Sequence, residues 1–327
     1  MGAPQELYGQ PAPLLALLDR YQRDFPLQPQ PFRLLAEEAG MTEPALLTAL
    51  AQARADGLLG RVGAVFAPNT VGVSTLAALA VPPVRLDEVA ARVSRLREVN
   101  HNYAREHRYN LWFVLTAPDR AGIDAALAQI AADTGLAPLD LPLEREYHID
   151  LGFALGADGP ARRPTLAPPA PRLDDADRRL IAALNGGIAL QSRPFALLAD
   201  ACALHEDEVL QRLQSWVGSG VIRRFGMVLR HHELGFHANA MCVWQVPPAA
   251  RDAIGAALAG DPVVTLCYAR PPQGAHWPYN LFCMIHARDA AGARAAAQRL
   301  AANHSLAAMP QAVLISTRRY TQRGARY

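Results

Sequence analysis

Pro31-Phe-Arg-Leu-Leu-Ala-Glu-Glu-Ala39 sets two aromatic or aliphatic pairs one helical turn apart and is closed by Gly40. This is the pattern of a short amphipathic helix. Thr42-Glu-Pro-Ala45 follows, with a threonine suited to cap a helix and a proline in its first turn. That helix is expected to run to about Ala55 and to stop at Asp56-Gly57, before Leu58 to Phe66 alternates like a small strand. Upstream, Leu14, Leu15, Leu17, Leu18 and Tyr21 predict a first helix over 14–25. The order is helix, helix, turn, helix, wing.

The same stretch recurs 163 residues later without a gap. Pro31-Phe32 falls on Pro194-Phe195, Leu34-Leu-Ala36 on Leu197-Leu-Ala199, Arg61 on Arg224 and Gly63 on Gly226. Of the 46 positions in 27–72, 15 are identical. The chain is therefore a duplication, a pseudo-dimer in one polypeptide. After each wing the pattern becomes strand, helix, strand, strand, helix, strand, the order of a ferredoxin-like βαββαβ domain. In the first half the last strand is expected over about 139–153. The expected boundaries are a winged helix-turn-helix over 1–66, a ferredoxin-like domain over 67–153, a Pro/Ala-rich linker over 154–172, a second winged helix-turn-helix over 173–232 and a second ferredoxin-like domain over 233–327.

The fold class is thus α+β, with two tandem modules. A winged helix-turn-helix followed by a βαββαβ domain resembles the Lrp/AsnC regulators, whose function would be DNA binding. The charges oppose that function. Residues 43–56 hold one arginine against Glu43 and Asp56, and residues 205–217 hold one arginine against Glu206, Asp207 and Glu208. A recognition helix needs cations for phosphates, so these helices read as retained scaffold, and duplex DNA is not expected as a partner.

Composition narrows the class further. The 327 residues are 51% hydrophobic and 19% charged, yet charges or prolines break every apolar run well short of a membrane span. The opening residues lack the pattern of a secretory signal, so cytoplasm is the expected location and no membrane partner is expected. Four cysteines without a Cys-x-x-Cys pair read as buried thiols rather than metal ligands. All positive charge comes from arginine, because no lysine occurs. The planar guanidinium suits bidentate grip on carboxylates. Nucleotide loops, serine-hydrolase elbows and zincin helices have no signature here.

The chemistry-bearing residues gather in two places. One is the hairpin His101-Asn-Tyr-Ala-Arg-Glu-His107-Arg-Tyr-Asn-Leu-Trp-Phe113, echoed by Cys267-Tyr-Ala-Arg270 and His276-Trp-Pro-Tyr-Asn-Leu-Phe282. The other is the second wing, with Arg223, Arg224, Arg230, His231, His232 and Asn239. Taken singly, each histidine is an ordinary surface or core residue. Together with Tyr103, Arg105 and Arg270 they suggest a basic pocket for a ligand with several carboxylates.

These strings, with Arg223-Arg-Phe-Gly226, His231-His232, Gly235, Asn239-Ala-Met241 and Met284-Ile-His286, resemble the siroheme decarboxylases of haem d1 and alternative haem synthesis. The first half looks like one subunit type and the second like its partner. The resemblance implies conversion of siroheme to 12,18-didecarboxysiroheme, by loss of CO2 from two acetates without an organic cofactor. It implies His101 and His107 as proton donors, with His231 and His232 as further acids or axial contacts to the substrate iron, and no metal held by the protein itself. Arg105, Arg223, Arg224, Arg230 and Arg270 would hold carboxylates, oriented by Tyr103 and Asn239. A homodimer through the ferredoxin-like domains is expected. The rival readings are an Lrp/AsnC-type regulator and a noncatalytic tetrapyrrole carrier.

Overall fold

The computed structural model describes residues 12–149, 171–229 and 238–325. The first half runs α1 (Ala12–Arg20), α2 (Pro31–Glu38), α3 (Glu43–Ala55), β1 (Leu59–Phe66), β2 (Val73–Leu79), α4 (Leu86–Arg95), β3 (Val99–Arg105), β4 (Leu111–Ala117), α5 (Arg120–Thr134), β5 (Leu139–Pro142) and β6 (Arg145–Ile149). The second repeats it as α6 (Asp175–Leu184), α7 (Pro194–Cys202), α8 (Glu206–Gly218), β7 (Ile222–Leu229), β8 (Ala238–Trp244), α9 (Pro248–Gly260), β9 (Val264–Ala269), β10 (Leu281–Ala287), α10 (Ala290–Asn303) and β11 (Gln311–Gln322). The expected linker falls almost wholly outside the described residues. Among the described residues no helix is long and apolar enough to cross a membrane.

Compact units form between like parts rather than along the chain. One unit gathers Met1–Val71 with Gly152–Leu234, the two helix-turn-helix regions, and the other gathers Gly72–Leu151 with Gly235–Tyr327.

In the helix-turn-helix unit, α2 begins on Pro31 and buries Phe32, Leu35 and Ala36, while α7 begins on Pro194 and buries Phe195, Leu198 and Ala199. Thr42 caps α3 by accepting from the Ala45 amide at 3.4 Å. Each wing is a single strand, and β1 pairs with β7 in antiparallel register with Gly63 opposite Gly226. A Cβ at Gly226 would lie 2.4 Å from the Gln22 carbonyl oxygen, so only glycine fits there. The expected helix over 14–25 ends early for the same reason. The Met227 amide donates to the Tyr21 carbonyl at 2.7 Å and the Phe25 amide to the Phe225 carbonyl at 3.0 Å, which draws 21–25 alongside β7.

Among the described residues the nine strands of the sheet unit form one sheet, ordered β5-β2-β4-β3-β11-β8-β10-β9-β6. Each half supplies a ferredoxin-like foursome, and each last strand crosses to the other half. β11 pairs with β8 of its own half and then with β3, and the final strand of the first half breaks into β5, on β2, and β6, on β9. The single strand expected over 139–153 is therefore two strands, with 150–153 outside the described residues. Within the chain the two ferredoxin-like sheets are joined edge to edge, β3 to β11 and β9 to β6.

Strand alternation separates the sheet's faces. One face carries Ala77, Leu79, Val99, Leu111, Phe113 and Leu115 against α4 and α5. Its counterpart in the second half carries Cys242, Trp244, Cys267, Cys283 and Ile285 against α9 and α10. The opposite, inner faces bring residues of both halves together, among them Leu76, Trp112 and Leu141 with Met241, Tyr268, Phe282 and Leu314.

Candidate active site

His101, Tyr103 and Arg105 occupy alternate positions of β3, and Asn102 between them points the other way, donating to the Ala90 carbonyl of α4 at 3.1 Å. The three side chains thus share the inner face. His101 stacks on Tyr103 with ring centroids 6.4 Å apart, and the Arg105 guanidinium lies 5.7 Å from the same ring. In the second half Tyr268 and Arg270 repeat this placement, with the guanidinium 4.7 Å from the ring.

Both arginines are buried, with 7% and 9% of their surface exposed. They cross between the halves. Arg105 donates to the Leu314 carbonyl on β11 at 3.1 Å, and Arg270 donates to the Leu141 carbonyl on β5. Among the described residues neither makes a salt bridge, and the Nε of each is buried without a hydrogen-bond partner. Burial pushes the Arg105 guanidinium down to about 10, so it stays charged at neutral pH, and burial lowers Arg270 as well. Desolvation raises the hydroxyls of Tyr103 and Tyr268. A buried cation without a carboxylate partner costs several kcal/mol. An anionic ligand would recover that cost.

His107 sits in the turn after β3, not on the sheet. Its Nδ1 accepts from the Tyr109 amide at 3.0 Å, which leaves the proton of the neutral ring on Nε2. Desolvation, and then the neighbouring Arg108, lowers its pKa. The ring stacks on Tyr109 at 6.2 Å and meets the edge of Trp277 at 5.4 Å. Trp277 belongs to the second half's hairpin, so the two polar hairpins meet around this indole, whose own N–H is buried without a partner among the described residues.

The remaining expected site residues are distributed as follows. Asn239 lies on β8, 4% exposed, on the inner face with Met241, and its Oδ1 has no hydrogen-bond partner among the described residues. Arg223 and Arg224 belong to the helix-turn-helix unit. Arg224 is buried there, 3.4 Å from the Gln22 carbonyl to which it donates. Arg230, His231 and His232 lie outside the described residues.

Three inner-face residues had no role assigned from sequence: Tyr268 and His286, which stand in quoted strings, and Arg319. His286 stands opposite Asn239 in the β8–β10 ladder and follows Phe282 and Met284 on the inner face. Arg319 pairs with Tyr103 across β11 and β3. Tyr268 was legible in the repeated Tyr-Ala-Arg string, and His286 in the alternation of β10. A groove of about 570 Å³ beside the second hairpin is lined by Pro247, Pro248, Pro272, Pro278 and Pro310 and by no ionisable side chain, which does not suit an acid-rich ligand.

Known proteins resemble the chain throughout. The model of the AsnC-like ligand binding domain matches 70–148 and 233–321. That of the siroheme decarboxylase NirDL-like HTH domain matches 15–59 and 177–223. The siroheme decarboxylase NirDL subunit of Paracoccus denitrificans is 46% identical over 313 residues, covering 95% of this chain and 96% of the relative. The NirD subunit of the enzyme from Stutzerimonas stutzeri, a shorter protein, is 60% identical over 140 residues, which are 43% of this chain and 92% of that subunit. A crystal structure of the siroheme decarboxylase NirDL in complex with an iron-uroporphyrin III analogue aligns with a TM-score of 0.71 at 27% identity, covering 96% of this chain and 93% of that one. With both halves matched in one relative and both kinds of domain in the family models, the chain belongs to the siroheme decarboxylase family.

Proposed function

We propose that this chain removes the carboxyl groups from two acetate side chains of siroheme, giving 12,18-didecarboxysiroheme, with the iron entering as part of the substrate and without an organic cofactor. The observation that carries the reading is the buried guanidinium group of Arg105 on the inner sheet face, which has no carboxylate partner among the described residues. Such a group suits a ligand that brings its own carboxylates.

Each step releases CO2 from a pyrrole acetate and leaves its bonding electrons on the methylene carbon. Protonation of the ring carbon supplies the electron sink, a proton then completes the methyl group, and the ring carbon gives its own proton back, so each acetate consumes one net proton. A histidine titrating near neutrality fits such transfers. His101 takes this role in the reading, four residues along the strand from Arg105 and on the same face. His107 relays a proton through Nε2 and is neutral at rest. Arg105 holds a carboxylate that is to survive, while the aromatic walls around Trp277 and Tyr109 exclude water from an acetate that is to react. Duplex DNA is not a partner in this reading, because the acidic residues of α3 and α8 oppose phosphate.

Anaerobic incubation with siroheme, followed by mass analysis of the bound pigment, tests the proposal. A pigment lighter by two CO2 is expected. Recovery of unchanged siroheme would leave a carrier, and tight sequence-selective DNA binding at physiological salt would favour a regulator.

A further inference from the structure

The duplication supplies two inner faces built to one plan, and their side chains can be compared position by position. The correspondence is anchored by a clasp present in both copies. Arg145 and Tyr147 on β6 bind Asp252 of α9, with the tyrosine hydroxyl 2.6 Å from the carboxylate. Arg318 and Tyr320 on β11 bind Asp87 of α4 in the same way, at 2.6 and 2.5 Å. Arg319 and Glu146 therefore hold equivalent positions, and their strand partners agree, Tyr103 for Arg319 and Tyr268 for Glu146.

With the register so fixed, the faces differ in kind. Beside Arg105 stands a second guanidinium, Arg319, whereas beside Arg270 stands the Glu146 carboxylate. His101 on β3 corresponds to Leu266 on β9, counting back from the shared Tyr-Ala-Arg. The opposed pair Asn239 and His286 of β8 and β10 corresponds to Ser74 and Thr116 of β2 and β4. One face thus carries two cations and two imidazoles. Its counterpart has a cation, a carboxylate, and no histidine at those positions.

The polar residues of the first face form a continuous row across four strands. Ser316 pairs with Arg105, and it is one step beyond the last β11–β8 pair, Ile315 with Ala240, which sets it beside Asn239; His286 is opposite Asn239. Three strand spacings put Arg105 and His286 about 14 Å apart, long enough to serve acetates on two pyrrole rings of one macrocycle. The buried Asn239 Oδ1, without a hydrogen-bond partner among the described residues, points to a ligand in this row. Thr265 donates to the Met284 carbonyl at 3.1 Å, so its 3.0 Å contact with His286 assigns the Nδ1 proton to the imidazole and leaves Nε2 as the nitrogen that exchanges protons.

We propose that each chain has a single competent face, the one carrying Arg105, Arg319, His101, Asn239 and His286, that His286 is a second proton-transferring residue there, and that the counterpart face around Arg270 and Glu146 does not take siroheme. The proposal rests on the siroheme reading above. It is tested by anaerobic absorbance titration with siroheme and by mass analysis of the product. The wild-type chain is expected to bind one equivalent. Arg319→Glu, which puts the counterpart's charge on the competent face at an exposed position, is expected to weaken binding at least tenfold. Glu146→Arg should leave stoichiometry and turnover unchanged. His286→Gln should keep binding at one equivalent while losing at least tenfold in turnover, with the pH profile of the residual activity shifted. Two equivalents per chain, full binding by Arg319→Glu, or full turnover by His286→Gln in a folded variant with an unaltered melting temperature would each overturn the single-face proposal. Wild-type protein that leaves siroheme unchanged would instead overturn the functional reading itself.

Discussion

The helix-turn-helix unit and the sheet unit descend from one duplication but have kept different things. In the first, the halves retain their packing residues: Pro31 and Phe32 match Pro194 and Phe195, and Gly63 still faces Gly226 across the paired wings. In the second, the helix-facing cores stay apolar while the inner faces have drifted apart in charge, arginine against glutamate and histidine against leucine or threonine. The contrast teaches that packing constrained one unit and chemistry the other.

The largest test of that contrast falls on the sheet unit. His101→Ala is expected to lower decarboxylation by about 10²–10⁴-fold, the usual worth of a positioned acid or base, with tetrapyrrole binding retained in absorbance titration. Full turnover would move proton transfer away from β3. In the helix-turn-helix unit the corresponding losses are of stability. Gly226→Ala is expected to cost about 1–3 kcal/mol from overpacking, because its Cβ would meet the Gln22 carbonyl oxygen at 2.4 Å. Gly63→Ala should cost less, since the Cβ there meets Gly187 at 3.0 Å. Denaturant unfolding ranks the two, and equal costs would break the argument from close approach.

Arg224→Ala is expected to lower stability by about 0.5–1.5 kcal/mol through its lost bond to the Gln22 carbonyl. Siroheme binding measured on the same variant decides whether the wing arginine also reaches substrate. The smallest effect concerns His107. Burial first and Arg108 second lower its pKa, so as the pH falls the unfolded chain takes up that proton before the folded one. The stability this contributes is present above the ordinary histidine value and is lost as the pH drops below it. Arg108→Ala should raise the His107 pKa only part of the way, because burial remains, and an NMR titration of the imidazole would show it. No movement would mean that Arg108 points elsewhere.

Much of this was legible from residues alone. The 163-residue offset exposed the duplication, alternation exposed the strands, and the repeated Tyr-Ala-Arg marked the two buried arginines. What escaped was set by register. Nothing local to 139–153 says that the strand breaks at Leu143 and Glu144 and that its second part pairs with the other half. Likewise the bulges between Ser316 and Arg318 and between Arg319 and Thr321 decide which of two adjacent arginines joins Tyr103 and which reaches Asp87. A period of two cannot be counted through bulges whose positions are fixed by a partner strand distant in sequence.

The crossing of β6 and β11 has one more consequence. Each half of the sheet unit closes its edge with a strand borrowed from the other, so the halves are laced together by main-chain hydrogen bonds independently of the peptide that links them. A chain nicked by protease between residues 149 and 171 should therefore elute as one particle under native conditions and separate into fragments only in denaturant. Fusion into one polypeptide then fixes the proportion in which two unlike halves are made, and the knitted strands do the work of keeping them joined.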